Sequence, residues 1–126
     1  MRLLLDTHIF IWCIADNPGL KKTVKSKILH ANEVYVSSAS IWEAAIKIQT
    51  KKLVVSIEDL MNAIVKSGFT ELPITAQHAC AVSNLPPIHR DPFDRILVAQ
   101  AISEPLIFIT ADSILKDYSD LVEVVV

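Results

Sequence analysis

The chain has 126 residues, of which 52% are apolar and two are glycine, a composition that excludes disorder and indicates a single helix-rich domain spanning residues 1–126. The net charge of −2 argues against a module that holds nucleic acid by a basic surface alone, although bound cations can supply the missing positive charge. No apolar run approaches the roughly 18 residues of a membrane span.

Apolar runs bounded by turn and capping residues predict strands that alternate with helices. The predicted strands cover residues 2–5, 33–36, 72–74, 106–109 and 121–126. The predicted helices cover about residues 8–15, 20–31, 40–50, 56–67, 75–83 and 91–103, with a helical turn at 113–118. This alternation predicts an α/β fold, in which a parallel sheet of four to five short strands has helices on both faces.

Several polar residues have ordinary structural roles in this pattern. Thr7 is expected to cap the first helix, and Ser40 with Glu43 matches a capping box. Asp91 can cap the helix that follows it, and Pro92 suits the first helical position. Pro73 restricts the third strand to an edge of the sheet.

The two cysteines, Cys13 and Cys80, lie in apolar helical segments. We expect them to be buried, reduced thiols without a disulfide, which suits a cytoplasmic protein.

Five polar side chains are predicted to meet at one edge of the sheet. Asp6 follows the first strand, and Thr110 and Asp112 follow the strand at 106–109. Glu43 lies one turn into the helix after the second strand, and Asp94 lies in the first turn of the helix at 91–103. Ligands of open parallel sheets bind outside the carboxyl ends of the strands, so these residues are candidates for one site.

Carboxylates that converge on one edge repel each other, so at neutral pH they either hold protons or bind cations. Oxygen ligands without cysteines or paired histidines favour Mg²⁺ or Mn²⁺ over Zn²⁺. One or two such ions can activate water and stabilise the leaving oxygen in phosphodiester hydrolysis.

Each acid also has a structural interpretation. Asp6 could cap the first helix, but Thr7 would then be redundant, and we favour a metal ligand. Glu43 fits the capping box and the metal site equally well, and a turn at the strand end would also explain Asp112. Asp91 is interpreted first as the helix cap, and its share in the metal site stays open.

The histidines His8 and His89 are interpreted as surface or supporting groups at the edge of the site. A lone histidine in such a place is more often one of these than a catalytic base.

Three segments carry a resemblance to a known family: residues 3–8 (LLLDTH), 40–43 (SIWE) and 89–95 (HRDPFDR). They resemble the VapC toxins of type II toxin–antitoxin systems. The series Asp6, Glu43, Asp94 and Asp112 resembles the acidic quartet of the PIN-domain nucleases. The similarity spans essentially the whole chain, and the 89–95 stretch is its most specific part.

The resemblance implies an endoribonuclease that depends on Mg²⁺ or Mn²⁺, forms a homodimer and is held inactive by an antitoxin encoded beside it. It implies a PIN-like fold and two supporting hydroxyls, for which Thr7 and Thr110 are the matches. It also places Asp94 rather than Asp91 at the metal, because the apolar run after Asp94 fits the helix of the family.

Two other functions compete with this interpretation. A PIN-like domain that binds RNA or a partner without cutting gains nothing from clustered negative charge beside phosphates. A phospho-acceptor domain resembling the receiver domains needs adjacent acids after the first strand and a lysine after a late strand. Here Asp6 stands alone, and no lysine directly follows Ile109.

Overall fold

Five parallel strands form the central sheet of the structure, a computed structural model that describes residues 1–125. The strands are β1 (Arg2–Leu5), β2 (Glu33–Ser37), β3 (Thr70–Leu72), β4 (Ile107–Thr110) and β5 (Val122–Val124). The helices are α1 (Thr7–Ile14), α2 (Lys22–His30), α3 (Ser38–Gln49), α4 (Ile57–Lys66), α5 (Ala76–Ala81) and α6 (Pro92–Ser103). Short 3₁₀ helices cover Val82–Asn84 and Ser113–Tyr118. The predicted α/β class with a parallel sheet is confirmed.

The strand order is β3-β2-β1-β4-β5, so the chain winds outward from β1 in one direction and then in the other. Leu5, the last residue of β1, lies opposite Val36 of β2 and Ile109 of β4. A crevice opens at the carboxyl ends of the strands where the winding direction changes. In this chain that position lies between β1 and β4.

The core has two layers because alternate residues of β1 point to opposite faces of the sheet. Leu3 and Leu5 pack with α1, α2 and α4, where Phe10 is one of the largest buried side chains. Leu4 packs on the other face with α6, whose Leu97 is fully buried. Each such buried side chain stabilises the fold by about 1.5–3 kcal/mol, so the position of Asp6 at the end of β1 is firmly fixed.

Two helix starts differ from the prediction. Asp6, not Thr7, is the N-cap of α1, and its side chain accepts the backbone N–H of Thr7. The capping box at Ser40 is also wrong, because β2 runs directly into α3 and Ser37 caps that helix. Glu43 therefore lies in the second turn of α3 and has no capping role. The prediction that Asp91 caps α6, with Pro92 at its first position, is confirmed.

Smaller differences concern the sheet edges and the thiols. β3 is an edge strand as expected, but it ends at Leu72, before Pro73, because proline cannot donate to a strand ladder.

Cys13 is only half-buried and Cys80 is exposed, so the prediction of two buried thiols is wrong; both are free. α5 packs on α6, and its buried residue is His78, whereas Cys80 is exposed. The last predicted strand reached Val126, which lies outside the described residues.

None of the helices within residues 1–125 has both the length and the apolar character needed to cross a membrane.

Candidate metal centre

A cleft of about 360 Å³ opens at the carboxyl ends of β1 and β4, and we call it the acid cleft. It is lined by Asp6, Thr7, His8, Glu43, Lys47, Asp91, Asp94, Ala111 and Asp112. The four acids of the predicted quartet are thus brought together, although they come from four different parts of the chain. Asp91 and Thr7 line the same cleft, and Thr110 reaches it through its contact with Asp6.

Asp6 lies deepest among these acids and is only 8% exposed. Its Oδ2 accepts a hydrogen bond from Thr110 Oγ1 at 2.6 Å, and its Oδ1 accepts the N–H of Thr7 at 2.7 Å. Burial outweighs these donors and raises the pKa of Asp6 to about 6, and the negative charges of Glu43 and Asp112 add to the rise. A cation in the acid cleft would reverse this effect.

The two threonines have different roles. Thr110 Oγ1 also accepts the backbone N–H of Asp112 at 3.1 Å, so one hydroxyl links two acids of the quartet. The Thr7 hydroxyl instead donates to Ser40 Oγ at 2.9 Å and joins α1 to α3. Thr7 therefore reaches Asp6 through its backbone N–H rather than through its hydroxyl.

Glu43 enters the cleft from the second turn of α3, and its side chain is 13% exposed. Its Oε2 lies 3.4 Å from Lys47 Nζ, whereas its buried Oε1 has no hydrogen-bond partner among the described residues. A buried carboxylate oxygen without a donor is costly. This oxygen can accept a ligand that the protein itself does not supply.

Asp94 lies in the first turn of α6, where burial raises its pKa to about 7. The charge of Asp6 is the next largest cause, followed by the charge of Asp91. Asp91 has a separate role, since its Oδ1 accepts the N–H of Phe93 at 2.8 Å as the helix cap. Asp112 follows β4, and its Oδ1 caps the next 3₁₀ helix by accepting the N–H of Ile114 at 3.1 Å.

His89 faces Asp94 and Asp112 from the loop before α6. Its Nε2 lies 3.5 Å from Asp94 Oδ2 and 3.4 Å from Asp112 Oδ2. Its Nδ1 accepts the N–H of Asp91 at 3.0 Å, so in the neutral ring Nδ1 is bare and Nε2 carries the proton. His89 is thus a donor toward the two acids and not a metal ligand in this arrangement. Tyr118 fixes the loop by accepting the N–H of His89 at 2.8 Å.

Sequence reasoning did not predict Lys47 as a site residue, gave Ser40 only a capping role, and gave His89 only a supporting place. Lys47 and Ser40 lie four residues after and three before Glu43, on the same face of α3, which is the signal that could have found them. His89 is two residues before the helix cap Asp91, but its approach to Asp112 depends on the tertiary structure.

The donor set fits a hard divalent cation. Five carboxylates line one small cleft, one buried oxygen of Glu43 lacks a partner, and the pKa values of Asp6 and Asp94 are raised. One carboxylate oxygen of Asp94 and one of Asp112 lie within 4.8 Å of each other. Oxygen donors of this kind suit Mg²⁺ or Mn²⁺, and neither Cys13 nor Cys80 lines the cleft to favour a softer metal.

The fold and the acid cleft indicate a class of protein, and a match to a known protein family names that class. The family model described as PIN domain matches residues 3–121, and the chain belongs to the PIN domain family. The expected PIN-like fold is confirmed, and the receiver-like alternative is excluded.

Within that family, the resemblance to the VapC toxins is also confirmed. Ribonuclease VapC22 from Mycobacterium tuberculosis (strain ATCC 25618 / H37Rv) is 28% identical, over 92% of this chain and 91% of that protein. Similar solved structures include that of VapBC2 from Rickettsia felis, which is bound to a DNA fragment from its promoter. Its TM-score is 0.70 at 18% identity, and the match covers 97% of this chain and 96% of that chain.

A toxin–antitoxin complex from Klebsiella pneumoniae has TM-score 0.65 and 19% identity, covering 98% of this chain and 96% of that one. FitAcB from Neisseria gonorrhoeae has TM-score 0.63 and 17% identity, covering 94% and 93%. At these identities the likeness establishes the fold alone.

Proposed function

We propose that this protein is an endoribonuclease that depends on Mg²⁺ or Mn²⁺ and acts as the toxin of a toxin–antitoxin pair. The observation that carries the proposal is the acid cleft, where Asp6, Glu43, Asp94 and Asp112 converge at the position expected for a ligand. Membership of the PIN domain family and the likeness to Ribonuclease VapC22 support it.

Asp6, Glu43, Asp94 and Asp112 are the proposed metal ligands and catalytic residues. When bound, the metal would supply an activated water and neutralise charge on the phosphodiester. The residues of the chain position the ligands: Thr110 holds Asp6, and Asp91 caps α6 so that Asp94 faces inward. Thr7 supports Asp6 through its N–H.

The proposal extends to the assembly and its partners. We infer a single nuclease domain over residues 1–126, a homodimer, and a cognate antitoxin as the inhibiting partner. The structure from Klebsiella pneumoniae, which is described as a toxin–antitoxin complex, supports the antitoxin as a partner. We also infer a cytoplasmic location, because the proposed RNA substrate is present there.

The test is cleavage of an end-labelled, single-stranded RNA of mixed sequence in Mg²⁺, Mn²⁺ or EDTA. We expect cleavage with either metal and none in EDTA, and Asp94→Asn should lower the rate by about 100-fold or more. Asp120→Asn removes an exposed acid outside the acid cleft and should cut like the parent. Equal cleavage in EDTA would reject the metal mechanism, and RNA binding without cleavage in any metal would favour the non-cleaving alternative.

A further inference from the structure

Lys47 is the one lysine or arginine that lines the acid cleft in the described part of the chain. It lies in the last turn of α3, and its Nζ is 3.4 Å from Glu43 Oε2. The side chain is 42% exposed, whereas those of Glu43 and Asp94 are 13% and 15% exposed, so Lys47 lies nearer the rim of the cleft than these two acids. A positive charge at this place attracts an anion that approaches the cleft.

A Glu–Lys pair four residues apart is a common stabilising pair on exposed helix faces. This pair differs because Glu43 is largely buried and its second oxygen has no partner. The 3.4 Å separation is also long for a charge-assisted hydrogen bond. Lys47 therefore balances the charge of Glu43 loosely and remains free to exchange it for a better partner.

His8 lies beside Lys47 on the same rim. Its ring meets the indole of Trp12 edge-to-face, with 4.3 Å between the centroids, which restricts its position although it is exposed. Burial lowers the pKa of His8, and the charge of Lys47 lowers it further, in keeping with their closeness. The same cleft is thus lined by one ammonium group and one imidazole ring.

We propose that Lys47 is the residue that holds a backbone phosphate of the RNA substrate at the rim, and that it leaves Glu43 when a divalent cation enters the acid cleft. This inference rests on the proposed nuclease function. A doubly charged cation outcompetes a loosely placed ammonium for Glu43. The freed Lys47 then attracts the polyanion that the remaining carboxylates repel.

The first experiment measures metal binding without RNA. Lys47→Met keeps the apolar stem and removes the charge, and Lys47→Arg keeps the charge. Lys66→Met is the matched control, because Lys66 is exposed in the last turn of α4 and lies outside the cleft. By titration calorimetry with Mn²⁺, Lys47→Met should bind at least as tightly as the parent, since it has lost a competing cation. A weaker Mn²⁺ affinity would contradict the exchange.

The second experiment measures RNA binding by fluorescence anisotropy, using a labelled 20-nucleotide RNA with Ca²⁺ in place of Mg²⁺ and a gel to confirm that the RNA stays intact. Lys47→Met should bind about tenfold more weakly, and its salt dependence should fall by about 0.7 in log–log slope, the value for one phosphate contact of a single strand. Lys47→Arg and Lys66→Met should stay close to the parent.

A Lys47→Met variant with the parental RNA affinity and salt slope would overturn this inference alone, provided that the parent binds Mn²⁺ and cleaves RNA. A parent that does neither would overturn the proposed function, and the role of Lys47 with it.

Discussion

Asp6 combines two roles that a single substitution can separate. In Asp6→Asn the side chain keeps an acceptor for the N–H of Thr7, so the cap on α1 remains, and repulsion from Glu43 and Asp112 is relieved. We expect the melting temperature of the metal-free protein to hold or rise. RNA cleavage should fall by about 100-fold or more, and Mg²⁺ should raise the melting temperature less than it does in the parent.

Asp16→Asn is the control for that variant, since Asp16 is an exposed acid in a turn, where it pairs with Lys25. Parental cleavage and a parental Mg²⁺-induced shift in Asp6→Asn would remove Asp6 from the proposed site.

Asp6 and Asp94 retain protons at a pH where ordinary carboxyl groups have lost them. Their pKa values are raised from the ordinary 3.8 to about 6 and about 7. Between about pH 4 and pH 7 these two groups make the metal-free folded protein bind more protons than the unfolded chain, so their contribution to the free energy of unfolding falls as pH rises. The stabilisation that comes from these two protonated acids is complete below the pKa of the unfolded chain. It is lost as the pH rises through the pKa values of the folded protein, about 6 for Asp6 and about 7 for Asp94.

We therefore expect Asp94→Asn to reduce the pH dependence of the melting temperature in EDTA, measured between about pH 5 and pH 8. Mg²⁺ competes with the same protons, so the Mg²⁺-induced rise in the parent should grow over that range. A Mg²⁺-induced rise of equal size throughout would show that these acids do not bind the metal.

The start of α6 contains two acids with different surroundings. Asp91 is bonded to the N–H of Phe93, whereas Asp94 faces His89 and Asp112. Asp91→Ala should lower the free energy of unfolding in EDTA by about 1 kcal/mol, the usual effect of losing a cap, as measured by urea denaturation. Asp91→Asn should restore that stability and keep near-parental Mn²⁺ binding and cleavage. Loss of Mn²⁺ binding in Asp91→Asn would instead make Asp91 a ligand.

The helix starts show where sequence reasoning succeeds and fails. The 91–95 segment offers one good cap followed by proline, and α6 begins as predicted. The segment from Ser37 to Ser40 offers three serines, and local sequence cannot choose among them. The choice is made by β2, which pairs with β3 up to Ser37 and leaves that residue to cap α3.

The candidate site likewise has residues that could be predicted from the sequence and residues that could not. The four acids could be predicted because Asp6 and Asp112 follow strand ends directly. Glu43 and Asp94 lie in the first two turns of helices, and such helices begin at the same edge of a parallel sheet. Lys47 and His89 could not be ranked in this way, since their importance depends on distances to Glu43, Asp94 and Asp112 that only the packed structure fixes.

The outer faces of α3 and α4 leave large apolar side chains in water. Trp42 is 60% exposed although its ring meets Phe93 edge-to-face, and Met61 and Val65 are 53% and 78% exposed. Together with the family resemblance, this surface predicts a homodimer at about tens of micromolar by light scattering. Val65→Glu should weaken the dimer, and Leu29→Glu, at an equally exposed position of α2, should not. A monomeric parent would contradict the prediction.

The acid cleft also predicts how the proposed antitoxin would inhibit the protein. An antitoxin arginine can bind carboxylates bidentately and compete with the metal for the same oxygens. We expect the toxin–antitoxin complex to lose the Mn²⁺ affinity of the free protein in titration calorimetry. A complex that binds Mn²⁺ as tightly as the free protein would reject this mode of inhibition.

The position of β1 at the centre of the sheet has a consequence for synthesis on the ribosome. β1 pairs with β2 on one side and β4 on the other, and the bond between Thr110 and Asp6 joins residues 104 positions apart. Contacts so distant in sequence form late, because a long loop must close before they stabilise anything. Before β4 has left the ribosome, the nascent chain already contains Asp6 and Glu43. Asp94, Thr110 and Asp112 are not yet docked beside them. Translation and assembly of the acid cleft are therefore separated in time, and an unfinished chain is harmless to the RNA around it if the cleft is where RNA is cut.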